Sequence, residues 1–307
     1  MTIPSSLKLR HLEAFLDVVR HGNISAAARA RNVSQPALSK TISDLETLMC
    51  VRLFDRAGRR TALTAAGETF KSSALAAMRN LEAAVSGVSG QAAGGQVTVG
   101  VLPTVAGGFF PAAALELSKG YTDALVTTVT GPNSSLIKML RSGKIDLMVG
   151  RMPMARDMPG LVFEFLYEEP IVLVCRPDHP AREWSARKAL ESYPLVLPNS
   201  GAIIRQNVNQ YLSTLGLAEA KPKFETVALP VALALLEQSD LLWFISRGVV
   251  ERELRTGLLT SIAMNSDYMA GAIGLTRKFT FDADSPADRL ARLLHQHAQR
   301  LTVTRQS

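Results

Sequence analysis

The sequence predicts an α/β protein with a small helical module at the N-terminus, then one long helix, then a larger region of two lobes. Three observations support this prediction. Apolar residues recur at helical spacing through residues 9–48 and 65–89, and a glycine-rich stretch follows them. After that stretch, apolar segments of strand length alternate with helical segments, which is typical of α/β architectures. The chain has 307 residues, enough for two or three domains.

The composition excludes several classes of protein. Hydrophobic residues make up 47% of the chain and charged residues 20%, so a disordered chain is excluded. No uninterrupted apolar run approaches the roughly 18 residues of a membrane span, and the first residues lack the apolar core of a signal peptide. We therefore expect a cytoplasmic protein with no membrane partner. Cys50 and Cys175 are the only cysteines, too few for a disulfide framework or a zinc site, and we expect no cofactor.

The positive charge is concentrated at the N-terminus. The chain carries a formal charge of +7, and residues 1–64 contain ten Lys or Arg against five Asp or Glu, which accounts for +5 of it. Such a patch indicates a polyanionic partner when a binding motif accompanies it, and otherwise indicates only a solvated basic face.

Residues 9–48 predict three short helices. The first spans Leu9 to His21 and ends at Gly22. Ser25 is expected to cap the second helix, and Ser34 the third, which has Pro36 in its first turn. The third helix has an apolar stripe of Leu38, Ile42, Leu45 and Leu48, and its opposite face carries Gln35, Ser39, Lys40 and Ser43.

The segment 51–64 predicts a β-hairpin, because two short extended pieces flank Gly58, with Arg56, Arg59 and Arg60 around the turn.

Three helices followed by a basic hairpin predict a winged helix-turn-helix that binds double-stranded DNA. Its third helix would enter the major groove, where Gln35 can pair with adenine and Lys40 can reach guanine, whereas Ser39 is more permissive. The N-termini at Ser25 and Ser34 would offer backbone N–H groups to phosphates. The alternative is a helical module that binds another protein.

A long helix follows, capped by Thr64 and extending to about residue 89. Its apolar residues alternate by four and three, which predicts a seam for a partner helix and therefore a homodimer; they are Phe70, Ala74, Ala77, Leu81, Ala84 and Val88. The alternative is that this helix packs on its own domain. Residues 87–95 are rich in glycine and indicate a flexible linker.

Beyond the linker, strands are predicted at 96–102, 124–130 and 145–149, and helices at 105–118 and 134–142. Further units follow at 160–167, 171–175, 195–197, 203–215, 224–228, 231–237 and 241–245. This alternation predicts mostly parallel sheets, and the length of the region suits two small lobes better than one sheet.

The chain resembles the LysR-type transcriptional regulators. The motifs that carry the resemblance are Asn23-Ile-Ser-Ala-Ala-Ala28, Val33-Ser-Gln-Pro-Ala-Leu-Ser39-Lys40, Leu53-Phe54-Asp-Arg56, Leu63-Thr64-Ala-Ala-Gly67 and Gly143-Lys-Ile-Asp-Leu-Met-Val-Gly150. Gly100-Val-Leu-Pro103-Thr104 and Ser239-Asp-Leu-Leu-Trp-Phe-Ile-Ser246 are most similar to the branch that contains regulators of protocatechuate (pca) degradation and a galactose-uptake regulator.

The resemblance implies a two-lobed effector domain like the periplasmic solute-binding proteins. It also implies a homodimer through the long helix, commonly a homotetramer, and a pseudo-palindromic operator. Gln35, Pro36, Ser39 and Lys40 would then face the bases and nearby phosphates, and Arg56, Arg59 and Arg60 would contact DNA from the wing.

The expected domains are a DNA-binding domain at 1–64, a dimerisation helix at 65–89, a hinge at 90–95 and an effector domain at 96–307. Lobe I comprises 96–166 and 268–307, and lobe II comprises 167–267, with crossings near residues 166–167 and 267–269.

The expected effector site lies between the lobes, at Pro103, Thr104, Asn133, Arg151 and Arg205. The family resemblance places Thr104 and Asn133 at polar effector contacts, and Thr104 precedes helical amides that suit an anion. Arg151 and Arg205 could bind a carboxylate, so we expect a small anionic effector such as an aromatic catabolite, although a neutral sugar stays open. The alternatives are ordinary helix caps for Thr104 and Asn133, and surface or salt-bridged roles for the two arginines.

No catalytic motif is present, because the chain lacks GxSxG, P-loop and HExxH patterns, so we expect no enzyme. Two other functions stay open at this point. One is an enzyme-like or solute-binding α/β domain with a DNA-binding arm, and the other is a constitutive architectural DNA-binding protein.

Overall fold

The structure is a computed structural model that describes residues 4, 6–55, 61–88, 95–120, 124–266, 268–279 and 285–306. The chain forms two compact units, which are described separately: an N-terminal unit of residues 1–91 with 142–144, and an effector unit of residues 92–141 with 145–307. Within the described helices, none is both long and apolar enough to cross a membrane.

The N-terminal unit consists of helices and one short hairpin. Its elements are α1 Leu9–His21, α2 Ile24–Ala30, α3 Gln35–Leu48, β1 Phe54–Asp55, β2 Ala62–Leu63 and α4 Ala65–Val88. The core brings together Phe15 of α1, Leu38 and Ile42 of α3, and Phe54 of the hairpin. β1 and β2 pair antiparallel, as expected for a wing, and the residues between them, 56–60, lie outside the described part of the chain.

Local sequence determines where the first three helices begin and end. Gly22 ends α1 with a φ of 71°, a left-handed conformation that glycine adopts without strain. Ser34 caps α3 as predicted, because its side chain accepts a hydrogen bond from the Ala37 N–H at 3.4 Å. The predicted cap at Ser25 is wrong. Asn23 caps α2 instead, accepting from the Ala26 N–H at 2.7 Å, and Ser25 lies inside the helix.

The long helix α4 begins as predicted, since Thr64 Oγ1 accepts a hydrogen bond from the Gly67 N–H at 3.0 Å. The first two residues of the predicted seam, Phe70 and Ala74, pack within the N-terminal unit itself. Phe70 packs edge-on against Phe15 with 5.0 Å between ring centroids, and Ala74 is buried in the same core. Only Ala77 and Leu81, of the seam residues further along, are described, and both are exposed. The helix also includes residues 87 and 88, which composition had placed in the linker.

The effector unit alternates strands and helices around one large sheet. Its strands are β3 Gln96–Val101, β4 Leu125–Thr130, β5 Leu147–Arg151, β6 Leu161–Cys175, β7 Leu195–Leu197, β8 Phe224–Glu225, β9 Leu242–Ser246, β10 Thr260–Ile262 and β11 Ala270–Lys278. Its helices are α5 Pro103–Ala106, α6 Phe109–Gly120, α7 Asn133–Arg141, α8 Ala186–Ser192, α9 Ile204–Thr214, α10 Leu229–Glu237, α11 Arg247–Thr256 and α12 Pro286–Gln306, with a 3-10 turn at Ala155–Asp157.

The strand order is β4-β3-β5-β11-β6-β9-β7-β8, with β10 paired to β6. β3 pairs parallel with β4 and β5, and β7 pairs parallel with β8 and β9. The expectation of mostly parallel sheets is nevertheless wrong. β6 and β11 lie antiparallel to each other and to their other neighbours, because they carry the chain from one half of the sheet to the other.

Two separate apolar cores accompany the two halves of the sheet, which is the predicted two-lobed architecture. β6 contributes Tyr167 to one core and Ile171 to the other; likewise Ile273 of β11 belongs to the first core, and Met269, directly before β11, belongs to the second. We call residues 167–171 and 269–273 the hinge. The predicted crossings lie close to it, with residue 267 outside the described part.

Three predicted elements of the effector unit differ in the structure. The helix predicted at 105–118 is two helices, α5 and α6, interrupted at Gly107 and Gly108, since two adjacent glycines favour a break in a helix. The units predicted at 160–167 and 171–175 are one continuous strand, β6. The unit predicted at 224–228 is a strand only at Phe224–Glu225.

Candidate nucleic-acid interface and effector site

The third helix presents one buried face and one polar face. Leu38, Ile42 and Leu45 are at most 3% exposed, which fixes the rotation of α3 on the N-terminal unit. On the other side Gln35 and Lys40 are exposed, while Ser39 is half-buried. Polar side chains therefore project from a rigid helix, as direct readout of a major groove requires.

The start of this polar face is hydrogen-bonded to the preceding helix. The Ser25 hydroxyl donates to Gln35 Oε1 at 3.1 Å, and both residues are exposed. Ser34 and Pro36 are exposed beside them, so the N-terminal turn of α3 is open to solvent. The predicted wing residues Arg56, Arg59 and Arg60 lie outside the described residues.

The effector unit brings most of its predicted site residues around one small apolar cluster. Leu102 precedes Thr104, and Leu136 and Ile137 follow Asn133 on α7; all three are buried in this cluster. Ile203, two residues before Arg205, packs against it. The segments that carry Pro103, Thr104, Asn133 and Arg205 therefore converge, although they are far apart in sequence.

Thr104 and Asn133 are both 8% exposed. Thr104 is the second residue of α5, whose cap position is Leu102, so Thr104 is not a cap. Asn133 is the first residue of α7, and its buried Oδ1 has no hydrogen-bond partner among the described residues. A buried polar atom without a partner is costly, and its usual explanation is a water or a ligand. Among the predicted effector residues that the structure describes, Asn133 is thus the one with a buried acceptor that no protein atom uses.

Arg151 lies at the hinge. It ends β5, it is 4% exposed, and it donates from Nε to Ser246 Oγ at 3.1 Å and from Nη2 to the Glu169 carbonyl at 3.0 Å. Burial lowers the pKa of Arg151 to about 10, against the opposing charge of Glu169. A side chain at Gly271 would collide with this guanidinium. The arginine therefore links the ends of β5 and β9 to the middle of β6 rather than facing an open cleft.

Arg205 is also bonded to protein atoms. Nη1 donates to Glu225 Oε1 at 2.6 Å and to the Pro198 carbonyl at 2.7 Å, and Nε donates to Asn209 Oδ1 at 2.9 Å. Its side chain is 17% exposed. This matches the salt-bridged alternative, and a carboxylate ligand would have to compete with Glu225.

The sequence analysis did not predict the residues that bond Arg151. Ser246 and Glu169 are about 1% exposed; Ser246 follows the apolar residues of β9, whereas Glu169 lies inside β6 directly after Glu168. Their contacts with Arg151 span 95 and 18 residues, so spacing could not reveal them. Among the residues that the structure describes, no group of three or more His, Cys, Asp or Glu could hold a metal ion.

Comparison with known families decides the identity of both units. Residues 9–68 match the bacterial regulatory helix-turn-helix protein of the lysR family, and residues 90–299 match the LysR substrate binding domain. The chain belongs to the LysR family of transcriptional regulators. It is therefore a DNA-binding transcriptional regulator with an effector-binding domain, and not an enzyme.

The LysR chain is 35% identical to the HTH-type transcriptional regulator PcaQ of Agrobacterium fabrum over 303 residues, which is 97% of each protein. The PcaQ match agrees with the branch that the sequence motifs indicated. Among solved structures, a full-length OxyR variant from Pseudomonas aeruginosa aligns over 94% of this chain and 97% of its own, with a TM-score of 0.68 and 18% identity. Full-length CbnR in complex with its target DNA aligns over 96% and 99%, with a TM-score of 0.62 and 20% identity. At these identities the two structures support the LysR fold alone.

Proposed function

We propose that this LysR regulator binds a pseudo-palindromic operator as a homodimer or homotetramer, and that a small anionic effector alters that binding. The observation that carries the DNA-binding part is the polar face of α3, where Gln35 and Lys40 are exposed above a buried apolar stripe. Gln35, Pro36, Ser39 and Lys40 would read bases and contact nearby phosphates. Ser25 and Ser34 would place helix N-termini at phosphates, and Arg56, Arg59 and Arg60 would serve the wing.

The oligomer is supported by the second half of α4. Leu81 is 42% exposed and Ala77 is exposed as well, whereas Phe70 and Ala74, earlier in the same helix, pack into the N-terminal unit itself. A second α4 would cover such residues, and a two-fold dimer would give the operator its palindromic form. The domain limits proposed for this arrangement are 1–64, 65–89, 90–95 and 96–307. Since the DNA partner lies in the cytoplasm, we place the protein there.

The effector site is proposed at the convergence of α5, α7 and the start of α9. Asn133 carries this part of the proposal, because its buried Oδ1 lacks a partner within the described residues. Pro103 and Thr104 line the same region, and Arg205 would exchange Glu225 for the carboxylate of an aromatic catabolite. Arg151 would respond indirectly, because a ligand that changes lobe closure alters the hinge that this arginine bonds.

Selection of operator sequences from random DNA tests the first part. We expect a discrete site with two related half-sites, and Lys40→Ala should lower affinity for it at fixed salt. Lys138→Ala, which removes an exposed lysine from the effector unit, is the matched control and should bind normally. Recovery of sequences with no common site would favour an architectural DNA-binding protein and contradict the proposal.

A thermal-shift screen of aromatic acids, their ring-cleavage products and sugars tests the second part. We expect an acid to stabilise the protein, and Asn133→Ala and Arg205→Ala to reduce that stabilisation. A sugar that stabilises both variants as well as the unchanged protein would contradict the proposed site and the anionic class.

A further inference from the structure

The turn between α2 and α3 determines the direction in which α3 begins. Residues 31–34 connect the two helices. Asn32 adopts a left-handed conformation with a φ of 54°, and the Val33 N–H donates to the Ala28 carbonyl at 3.0 Å. This is the Schellman arrangement that ends many helices, where glycine is usual and asparagine is the alternative. Because the connection is so short, any change in this turn displaces the first residues of α3.

Apolar packing alone constrains α2 weakly. This helix has seven residues, and the ones that are buried are Ala27 and Ala28, with Ile24 partly buried at its start. A methyl group makes few contacts compared with a large buried side chain, so it restricts sliding or rotation of the helix less. A contact outside the core is therefore well placed to fix how α2 lies on α1.

Arg31 supplies such a contact. It is the C-cap residue of α2, and its Nη2 donates to Glu13 Oε2 at 2.8 Å while its Nη1 donates to Asp17 Oδ2 at 2.5 Å. Glu13 and Asp17 both belong to α1, one turn apart, so their side chains share one face of that helix. All three side chains are half-buried. The hydrogen bond to Glu13 raises the pKa of Arg31 most, burial opposes this rise, and the bond to Asp17 adds to it. We call Arg31, Glu13 and Asp17 the ion-pair cluster.

The ion-pair cluster holds the guanidinium in one orientation. A guanidinium is planar, and two of its nitrogens here bond to carboxylates at different heights along α1. A lysine ammonium in its place would keep the charge but lose the planar fork. Ion pairs that are partly open to solvent contribute little to the free energy of unfolding. The cluster therefore affects the position of the turn more than the stability of the unit.

We propose that Arg31 is a positioning residue for operator recognition, because it fixes the turn of residues 31–34 to α1 and so orients the N-terminal end of α3, including Gln35. It acts through α3 rather than through its own contact with DNA. The proposal rests on the proposed role of α3 in reading the operator. Without the cluster, α3 would keep its apolar contacts, but its first turn would vary in direction, and recognition sites tolerate only small displacements.

Binding to the selected operator and to random DNA at fixed salt tests the proposal. We expect Arg31→Ala to lower the ratio of operator affinity to random-DNA affinity by about three- to tenfold, while the affinity for random DNA changes by less than about twofold. Arg31→Lys keeps the charge but not the fork and should lose nearly as much. A merely structural defect would reduce the fraction of active protein and leave this ratio unchanged.

The acidic partners give a second test with the opposite change of charge. Glu13→Gln/Asp17→Asn removes two negative charges, which by electrostatics alone would raise the affinity for all DNA. We expect this variant to lower the same ratio, and to have no further effect when Arg31 is already alanine. Arg187→Ala is the matched control, because it removes an arginine that is paired with Glu191 at 2.9 Å in the effector unit, and it should leave the ratio unchanged.

Lys40→Ala separates failure of this inference from failure of the proposed function. If Lys40→Ala lowers the ratio and the variants of the ion-pair cluster do not, α3 reads the operator without the cluster and the inference is wrong. If Arg31→Ala weakens binding to operator and random DNA equally, or if Arg31→Lys binds like the unchanged protein, only the charge of Arg31 matters and the inference is also wrong. If Lys40→Ala and the cluster variants all leave the ratio unchanged, the proposed role of α3 fails as well. Arg31→Lys and the acidic double variant decide the outcome if Arg31→Ala does not fold.

Discussion

The hydroxyl of Ser25 donates a hydrogen bond to the amide oxygen of Gln35 at 3.1 Å, and this bond joins α2 to the first residue of α3. The bond occupies one lone pair of the amide oxygen and leaves the amide N–H₂ group turned to the other side. Gln35 therefore presents its donors in a fixed direction, which suits an acceptor on a purine edge. Ser25 is free to make this bond because Asn23 caps the helix in its place.

Replacing Ser25 with alanine should loosen Gln35 without disturbing α2. We expect operator affinity to fall by about two- to tenfold, the equivalent of one hydrogen bond of about 0.5–1.5 kcal/mol. Base preference at the position read by Gln35 should weaken as well. Quantitative binding to operators substituted at each position measures both effects.

The control for Ser25→Ala is Ser118→Ala, since Ser118 is an exposed helical serine of the effector unit. A double-mutant cycle with Gln35→Ala gives the coupling directly. If Gln35→Ala lowers affinity while Ser25→Ala changes neither affinity nor base preference, Gln35 reads the base without help from Ser25.

Lys40 is exposed on α3 one residue after half-buried Ser39. Its role can be assigned by measuring how DNA binding by the Lys40→Ala variant depends on salt and on DNA sequence. A lysine on a phosphate should weaken binding to all sequences and reduce the salt slope by about 1. A lysine on guanine should weaken binding mainly to the cognate operator, by about 1–3 kcal/mol. We expect the second result; equal losses on specific and random DNA would contradict it.

The N-terminal unit was largely predictable because its signals are local. The glycine stop at residue 22, the Ser34 cap and the apolar stripe of α3 each depend on neighbours within one or two turns. Ser25 was misassigned because Asn23 and Ser25 are both good caps, and only the bond to the Ala26 N–H distinguishes them. Periodicity likewise gave the apolar side of α4 but could not show that Phe70 covers Phe15.

The effector site was less predictable because its partners are remote in sequence. The sequence left open whether Arg151 and Arg205 bind an effector or are bonded to protein atoms, and their partners Ser246 and Glu225 lie 95 and 20 residues away. Nothing in the local sequence distinguishes an arginine that binds a ligand carboxylate from one that is bonded to protein atoms.

The hydrogen bond from Arg151 to Ser246 should contribute to the stability of the hinge. Ser246→Ala removes an acceptor from a guanidinium that is 4% exposed, and a buried donor without a partner is costly. We expect the unfolding free energy of the effector unit to fall by about 1–3 kcal/mol. Urea unfolding followed by tryptophan fluorescence reports it, since Trp184 and Trp243 both lie in this unit.

The comparison for Ser246 is Ser213→Ala, which alters an exposed serine that bonds only to the Asn209 carbonyl. We expect this variant to remain within about 0.5 kcal/mol of the unchanged protein. Equal small effects from both serines would mean that Arg151 finds other acceptors, and that the hinge does not depend on this bond.

The N-terminal unit should lose stability below neutral pH because of His11. This residue is 3% exposed, and its Nδ1 accepts a hydrogen bond from the Lys8 N–H at 3.2 Å, which only a ring unprotonated at Nδ1 can do. Burial, with the positive charge of Arg10 next in size, lowers the pKa of His11 below 6.5, against the weaker pull of Asp44. The unfolded chain therefore takes up the proton first as pH falls.

Because protonation favours the unfolded state, the free energy of opening α1 should decrease as pH falls through 6.5, and level off below the pKa of the folded protein. The slope contributed by His11 can reach about 1.4 kcal/mol per pH unit. His11→Gln removes this titration, so its stability deficit relative to the unchanged protein should shrink between pH 8 and pH 5.5. Hydrogen exchange of the α1 amides measures the opening of this helix alone. If the deficit stays constant across that range, His11 binds a proton equally well in the folded and in the open helix, and the prediction is wrong.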